Sequence, residues 1–256
     1  MKWRDKVQGW QSKIRDLDRN ALFAKLEELR TLLIRMLVLI AAFSCVSYFF
    51  WKEALHFLQK PLGLPLIMFT LPEAFLASLK LALFMGIFLG IPFLCNGLWG
   101  VFAPHFSSNP RRHFLPLVLS ASALFYFGTF FCYYFVLPVA IHFLVTYGSG
   151  NLQPMIGLSR YLTFVVGLMF AFGVVFELPL IMLLLGRIGV VNYQWLAKNR
   201  KYAFLVNALL SALITPTPDA YTMLLMMVPI QILYECSIWL VRIVGKKKTL
   251  EAELIT

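Results

Sequence analysis

The sequence predicts an all-α, polytopic membrane protein with six transmembrane helices. Two observations carry that prediction. Of 256 residues, 60% are hydrophobic and only 14% charged, for a mean hydropathy of +0.77, whereas a soluble domain averages about 45–50% apolar and about 25% charged residues. The 23 Lys and Arg, which leave a net charge of +11, fall between apolar runs rather than on one soluble face. That pattern is a membrane-topology signal and not the footprint of a nucleic-acid binder. Disorder is excluded as well, because 24 Phe, 6 Trp and 10 Tyr are more apolar surface than a solvated chain carries.

The first thirty residues hold eight bases and five acids, with no apolar core before Thr31, so they do not read as a signal peptide. Trp3, Val7, Trp10, Ile14, Leu17 and Ala21 are spaced alternately four and three apart, which puts them on one helical face. Such a helix is expected to lie among lipid headgroups with its aromatics inserted; packing on a partner helix is the other arrangement the pattern allows. The chain therefore divides into an amphipathic segment 1–30, a transmembrane domain 31–241 and a basic tail 242–256.

Apolar runs follow at about 31–51, 76–98, 114–137, 160–186, 203–214 and 221–241. A helical span needs roughly 20 such residues. Arg35 lies one turn inside the first run, close enough to its end to snorkel. The fifth run rises only about 18 Å at about 1.5 Å per residue, against a hydrocarbon core of about 30 Å. It is either re-entrant or a place where the bilayer thins. The region 52–75 is punctuated by prolines and still apolar, and is expected to cap the outer membrane surface as a helix. Gly86 and Gly90 form a GxxxG in the second run, a signal for close helix packing.

Bases set the orientation. Eight precede the first run, Arg111 and Arg112 lie in the 99–115 loop, and Arg187, Lys198, Arg200 and Lys201 lie in the 187–202 loop. Arg242, Lys246, Lys247 and Lys248 follow the last run, while the opposite side holds Lys52, Lys60 and Arg160, with Lys80 near a span end. The positive-inside rule places both termini in the cytoplasm, which requires an even number of spans.

No HExxH, GxSxG or GxxxxGK[ST] occurs, and no internal repeat marks a transporter. Cys45, Cys95, Cys132 and Cys236 sit in apolar runs without CxxC spacing, and the four histidines share no ligand spacing. Neither a metal, a cofactor nor a catalytic residue is expected.

Ionisable groups inside spans are the informative ones, since each costs on the order of 3 kcal/mol at the bilayer centre unless paired or hydrated. Glu177 lies well inside the fourth run, followed at once by Leu178 and Pro179. It reads as a polar site facing a hydrated cavity or a partner helix, or else as a protonated or hydrogen-bonded structural carboxyl. Glu235, past the middle of the sixth run, fits either a site or a bond to another helix. Asp219, in the hairpin TPTPDAY, suits a rigid turn and a helix N-cap. Leu22, Leu26, Leu29 and Leu33 make a stripe that projects Glu27 and Glu28 at the cytoplasmic surface. Those carboxylates are either a solvated face or a grip for guanidinium groups.

A set of ordered signatures then resembles one family, the TatC subunit of the twin-arginine protein translocase, over roughly 22–242. They are LEELR ending at Arg30, Lys60-Pro61-Leu62, and Leu98-Trp99-Gly-Val-Phe102-Ala-Pro104. Phe172-Gly-Val-Val-Phe-Glu-Leu-Pro179, Arg200-Lys-Tyr202, Thr215-Pro-Thr-Pro-Asp219 and Leu233-Tyr-Glu235 complete the set. The resemblance implies a concave, glove-like six-helix scaffold with short fifth and sixth helices, and a receptor rather than an enzyme. It implies binding of twin-arginine signal peptides of folded precursors at the cytoplasmic face. It also implies assembly with TatA and TatB in the bacterial inner membrane, as a homo-oligomer within a receptor complex driven by the proton-motive force. Glu28 matches the family's signal-binding glutamate, with Arg30 and Glu27 beside it, and Glu177 matches the intramembrane glutamate that meets partner helices. The family's second signal-binding glutamate, before two basic residues of the first cytoplasmic loop, is replaced here by Pro110, and Met223 stands where the outer hairpin usually has glutamine. The rival from another class is a proton-coupled small-solute transporter using Glu177 and Glu235 as a relay.

Overall fold

The structure is a computed structural model that describes residues 27, 30–102, 110–147, 155–214 and 220–253. Those residues are helical nearly throughout and contain no β-strand. Helix α1 (30–47) passes through a 3-10 turn, Tyr48–Phe50, into α2 (Trp51–Gln59). Next come α3 (Glu73–Phe102), α4 (Pro110–Phe131), a π-turn (Cys132–Val136) and α5 (Leu137–Tyr147). The chain continues with α6 (Leu158–Phe176), α7 (Leu178–Ile188), α8 (Tyr193–Lys198), α9 (Arg200–Ile214) and α10 (Ala220–Glu253).

Among the described residues, five stretches are long and apolar enough to cross a membrane: Arg30–Gln59, Glu73–Gly97, Leu115–Thr146, Leu158–Arg187 and Thr222–Ile243. The sixth expected helix is α9, whose 15 residues rise about 22 Å, still short of a full crossing. The last span is the shortest of the long ones at 22 residues, although α10 carries on through Lys246, Lys247 and Lys248 to Glu253. Several boundaries differ from the sequence reading. The first span absorbs 52–59 as helix, the third continues past 137 through the π-turn and α5 to Thr146, residues 99–102 and 110–115 of the 99–115 loop are helical, and the 187–202 loop contains α8. Helix α1 sits at the rim, since only 6% of its apolar window is buried against 39–50% in the other four.

In hydrocarbon every backbone polar group needs a partner within the protein, and prolines make that demanding. Pro92, inside α3, has no N–H, so the carbonyl four residues earlier loses its helical donor. That carbonyl is Phe88's, and the Tyr126 hydroxyl of α4 donates to it at 3.0 Å. The end of α2 is treated alike: the Tyr133 hydroxyl donates to the Phe57 carbonyl and the Tyr161 hydroxyl to the Leu58 carbonyl, each at 2.7 Å. Tyr234 of α10 donates to the Leu196 carbonyl in the last turn of α8 at 2.9 Å. Before Pro138 the helix widens into the π-turn, where Leu137 N–H reaches back five residues to the Cys132 carbonyl.

Small residues bring the helices together. A Cβ on Gly86 would lie 2.7 Å from the Ser44 backbone nitrogen, so α1 and α3 touch along the GxxxG face. Gly128 of α4 receives Phe176 and Gly173 of α6 receives Phe125, a reciprocal pair in which a Cβ would come within 2.6 and 2.5 Å of the opposing ring. The main core joins α2, α3, the π-turn and α6, with Leu81, Leu162, Val165 and Phe172 fully enclosed. A second cluster of Leu196, Tyr234, Ile238 and Val241 holds α7, α8, α9 and α10 together at the other end.

The cap follows from one acid. Glu73, 8% exposed, accepts the backbone N–H groups of Phe69, Thr70 and Ser159 at 2.6, 3.4 and 2.9 Å. Ile67 pairs with the strand-like residue Gly157 beside it, through Ile67 N–H to Ile156 and Leu158 N–H to Ile67, both 3.0 Å. The segment 60–72 is therefore fixed to the start of α6 by turns and bonds, where the sequence suggested a helix. Pro61 takes part in the turn that closes α2.

Tyr161→Phe removes the donor to Leu58 and keeps the ring. It is expected to cost about 0.6 kcal/mol, the average for hydrogen bonds between membrane helices, and at most about 1.7 kcal/mol. A thermal melt in detergent checks this, with Tyr134→Phe, whose side chain is exposed, expected to leave the midpoint unmoved.

Candidate functional site

Glu177 stands at the interruption between α6 and α7. Pro179 in the first turn of α7 cannot donate to Val175, and the chain turns at Glu177 itself, whose N–H bonds Val174 at 3.1 Å. Helical pairing resumes with Ile181 N–H on the Glu177 carbonyl at 2.9 Å. The residue lies ten positions before Arg187, the end of its span, or about 15 Å along the axis. It is thus in the hydrocarbon layer, at a junction of packing clusters. Phe172 and Phe176 before it belong to the main core, Met182 after it to the α7–α10 cluster, and Leu184 to a small group with Cys95, Leu117 and Val118 of α3 and α4. Cys95 lies within electrostatic range of the carboxyl, beside Ser122.

The Oε1 atom of Glu177 is buried and has no hydrogen-bond partner among the described residues. A buried polar oxygen left unpaired costs about 1–3 kcal/mol, more if charged. Such an atom signals strain or a missing partner. Its chemistry suits accepting a hydrogen bond from, or giving one to, a polar group that enters from the bilayer.

Glu235 has a different fate. Its Oε2 takes a hydrogen bond from Arg200 Nη2 at 2.8 Å, with the two side chains 40% and 54% exposed. The two motifs that contain these residues lie 35 positions apart and meet here, fastening the start of α9 to α10. The sequence places Arg200 in a cytoplasmic loop and Glu235 in the last span near the same side, but no local pattern pairs them. Deeper along the same pair of helices, Asn207 of α9 donates to Gln231 of α10 at 2.8 Å.

The remaining sequence-based candidates divide. Glu27 is exposed and helical, its carbonyl receiving the Thr31 hydroxyl at 2.8 Å, and Arg30 is exposed at the start of α1. Phe102 is the last residue of α3, and Pro179 is buried in α7. Glu28, Pro104 and Asp219 lie outside the described residues. No group of three or more His, Cys, Asp or Glu able to hold a metal occurs among the described residues.

For the ion pair, a double-mutant cycle with Arg200→Gln and Glu235→Gln, followed by unfolding, is expected to give a coupling of about 0.2–1 kcal/mol. That is the range for partly exposed pairs.

Comparison with known proteins completes the description. The sequence model of the Sec-independent protein translocase protein family, TatC, matches residues 24–229. The TatC protein of Carboxydothermus hydrogenoformans is 34% identical over 230 residues, covering 89% of this chain and 95% of that protein. The TatC protein of Desulforapulum autotrophicum is 36% identical over 245 residues, covering 93% and 90%. A crystal structure of the twin arginine translocase receptor TatC superimposes with a TM-score of 0.76 at 32% identity, covering 84% of this chain and 98% of that one. With the family model spanning four-fifths of its length and a helical membrane fold to match, this chain belongs to the TatC family of protein translocase components, transport subunits rather than enzymes.

Proposed function

We propose that this chain is the receptor subunit of a twin-arginine translocase, binding the twin-arginine signal peptides of folded precursors at the cytoplasmic face. It would assemble there with TatA- and TatB-type single-span subunits, as a homo-oligomer within the receptor complex, for export driven by the proton-motive force. It would lie in the bacterial inner membrane with both termini cytoplasmic, the orientation that the distribution of basic residues supports.

The observation that carries this reading is the unpartnered carboxyl oxygen of Glu177 at a helix break within a span. A buried oxygen without a partner calls for an explanation, and an ionisable residue inside the membrane is a functional candidate by default. In the proposed mechanism the signal's arginines are held near Glu28, with Glu27 and Arg30 adjoining. The apolar part of the signal, or a partner's membrane helix, then reaches Glu177. Helix α9, at 15 residues, thins the bilayer beside that path. A proton relay between Glu177 and Glu235 is the weaker reading, because Glu235 is engaged by Arg200.

Photocrosslinking in membranes, with a twin-arginine signal peptide beside a twin-lysine version, tests the receptor role. Wild type is expected to give arginine-dependent crosslinks that Glu28→Gln loses. Crosslinks indifferent to both changes would sink the assignment of Glu28. Lengthening 203–214 by one helical turn is expected to impair export of a reporter precursor while the thermal midpoint holds; export at the wild-type rate would refute the thinning role of α9.

A further inference from the structure

On the face of the protein that carries the 60–72 cap, a groove of about 400 Å³ opens between α3, α6 and the end of α9. Its upper part is cationic. Lys80, two turns into α3, brings its ammonium up to the second residue of α6 and donates to the Ser159 hydroxyl at 3.0 Å and the Thr163 hydroxyl at 3.2 Å. An ammonium has three donors, so one is left. Arg160, exposed beside it, makes no ion pair within 4 Å among the described residues. The nearest acid, Glu73, lies within electrostatic range of Arg160 but is held by three backbone N–H groups. Two cations against one engaged carboxylate leave the mouth net positive. The Ser159 hydroxyl still has its own hydrogen to donate, and the first turn of the 19-residue α6 adds the positive end of its dipole.

The lower part is apolar. Phe164, Leu168 and Ile214 line it, and between them Gly167 leaves a bare strip where a Cβ would meet nothing within 4 Å. From Ser159 to Gly167 this wall runs about 12 Å down the helix. A cationic, hydroxyl-bearing mouth above a narrow apolar slot is the complement of one molecule with an anionic head and a hydrocarbon tail.

We propose that this groove is a binding site for an anionic phospholipid, its phosphate held by Lys80, Arg160 and the Ser159 hydroxyl and one acyl chain lying over Gly167. The mouth stands at the start of α3 and α6, the membrane-boundary end of both spans, which is where a headgroup phosphate resides. The site is separate from Glu177, and it needs no assumption about signal peptides.

Native mass spectrometry of the full chain in detergent tests it, titrating dioleoyl phosphatidylglycerol, dioleoyl phosphatidylcholine and inorganic phosphate. One phosphatidylglycerol per chain is expected to bind at least fivefold more tightly than phosphatidylcholine, with inorganic phosphate failing to displace it at equal concentration. Lys80→Gln combined with Arg160→Gln is expected to abolish the preference. Gly167→Leu, which fills the slot without touching a charge, is expected to weaken phosphatidylglycerol at least threefold at an unchanged thermal midpoint. Should the double variant fail to fold, Arg160→Gln alone carries the charge test, with at least a twofold loss expected. Equal binding of the two lipids, a preference that survives the charge variants, or indifference to Gly167→Leu would overturn the proposal. Displacement by equimolar inorganic phosphate would reassign the mouth to free anions and overturn the lipid assignment.

Discussion

The architecture depends on satisfying backbone carbonyls where water is absent. Helices satisfy their own except at their ends and around prolines, and this chain places Pro92, Pro116 and Pro229 inside helices, with Pro138 and Pro179 near the starts of two more. Tyrosine is the recurring remedy. Its ring packs as an apolar body while its hydroxyl reaches a carbonyl on another element, at Phe88, Phe57, Leu58 and Leu196. Each bond also fixes the distance between two helices, so the device that removes a penalty sets the packing. The glycine contacts of α1 with α3 and of α4 with α6 then close the remaining space.

Three acids in the helical framework show what the same rule does to charges. Glu73 has three backbone donors, Glu235 has a guanidinium, and Glu177 has an oxygen with neither. The first two hold the two ends of the molecule, one at the cap and one where α9 meets α10. The third is not tied down, and it sits where the cap-side core gives way to the α7–α10 cluster. Two bonded carboxylates thus frame one whose Oε1 has no partner among the described residues.

Much of this was legible in the sequence because the signal is local. Apolar runs carry their own evidence of spanning, and their edges moved by only a few residues at most boundaries. The shortness of α9 was readable from Lys201 to Thr215, and the place of Glu177 inside a span from its apolar neighbours alone. What stayed hidden depends on residues far apart in the chain. Glu73 looks like an ordinary polar residue at a span edge until Ser159 comes to it, 86 positions later. Lys80 reads as a base near a span end, and only the fold sets it against Ser159 and Thr163. Arg200 and Glu235 were each noticed, one as a topology mark and one as a buried acid, yet nothing in either segment pairs them. The helical reading of 60–72 failed because apolar content with scattered prolines cannot distinguish a surface helix from turns anchored elsewhere.

The bond from Tyr161 to Leu58 has a consequence for how the molecule is made. Its two halves are 103 residues apart, and chain elongation at about 5–20 residues per second separates their synthesis by roughly 5–20 seconds. Through that interval the first span and α2 are already in place while the tyrosine that completes them is still being translated. Closure of the cap is therefore a late event in biogenesis, and it reports that the fourth long helix has been delivered to the first.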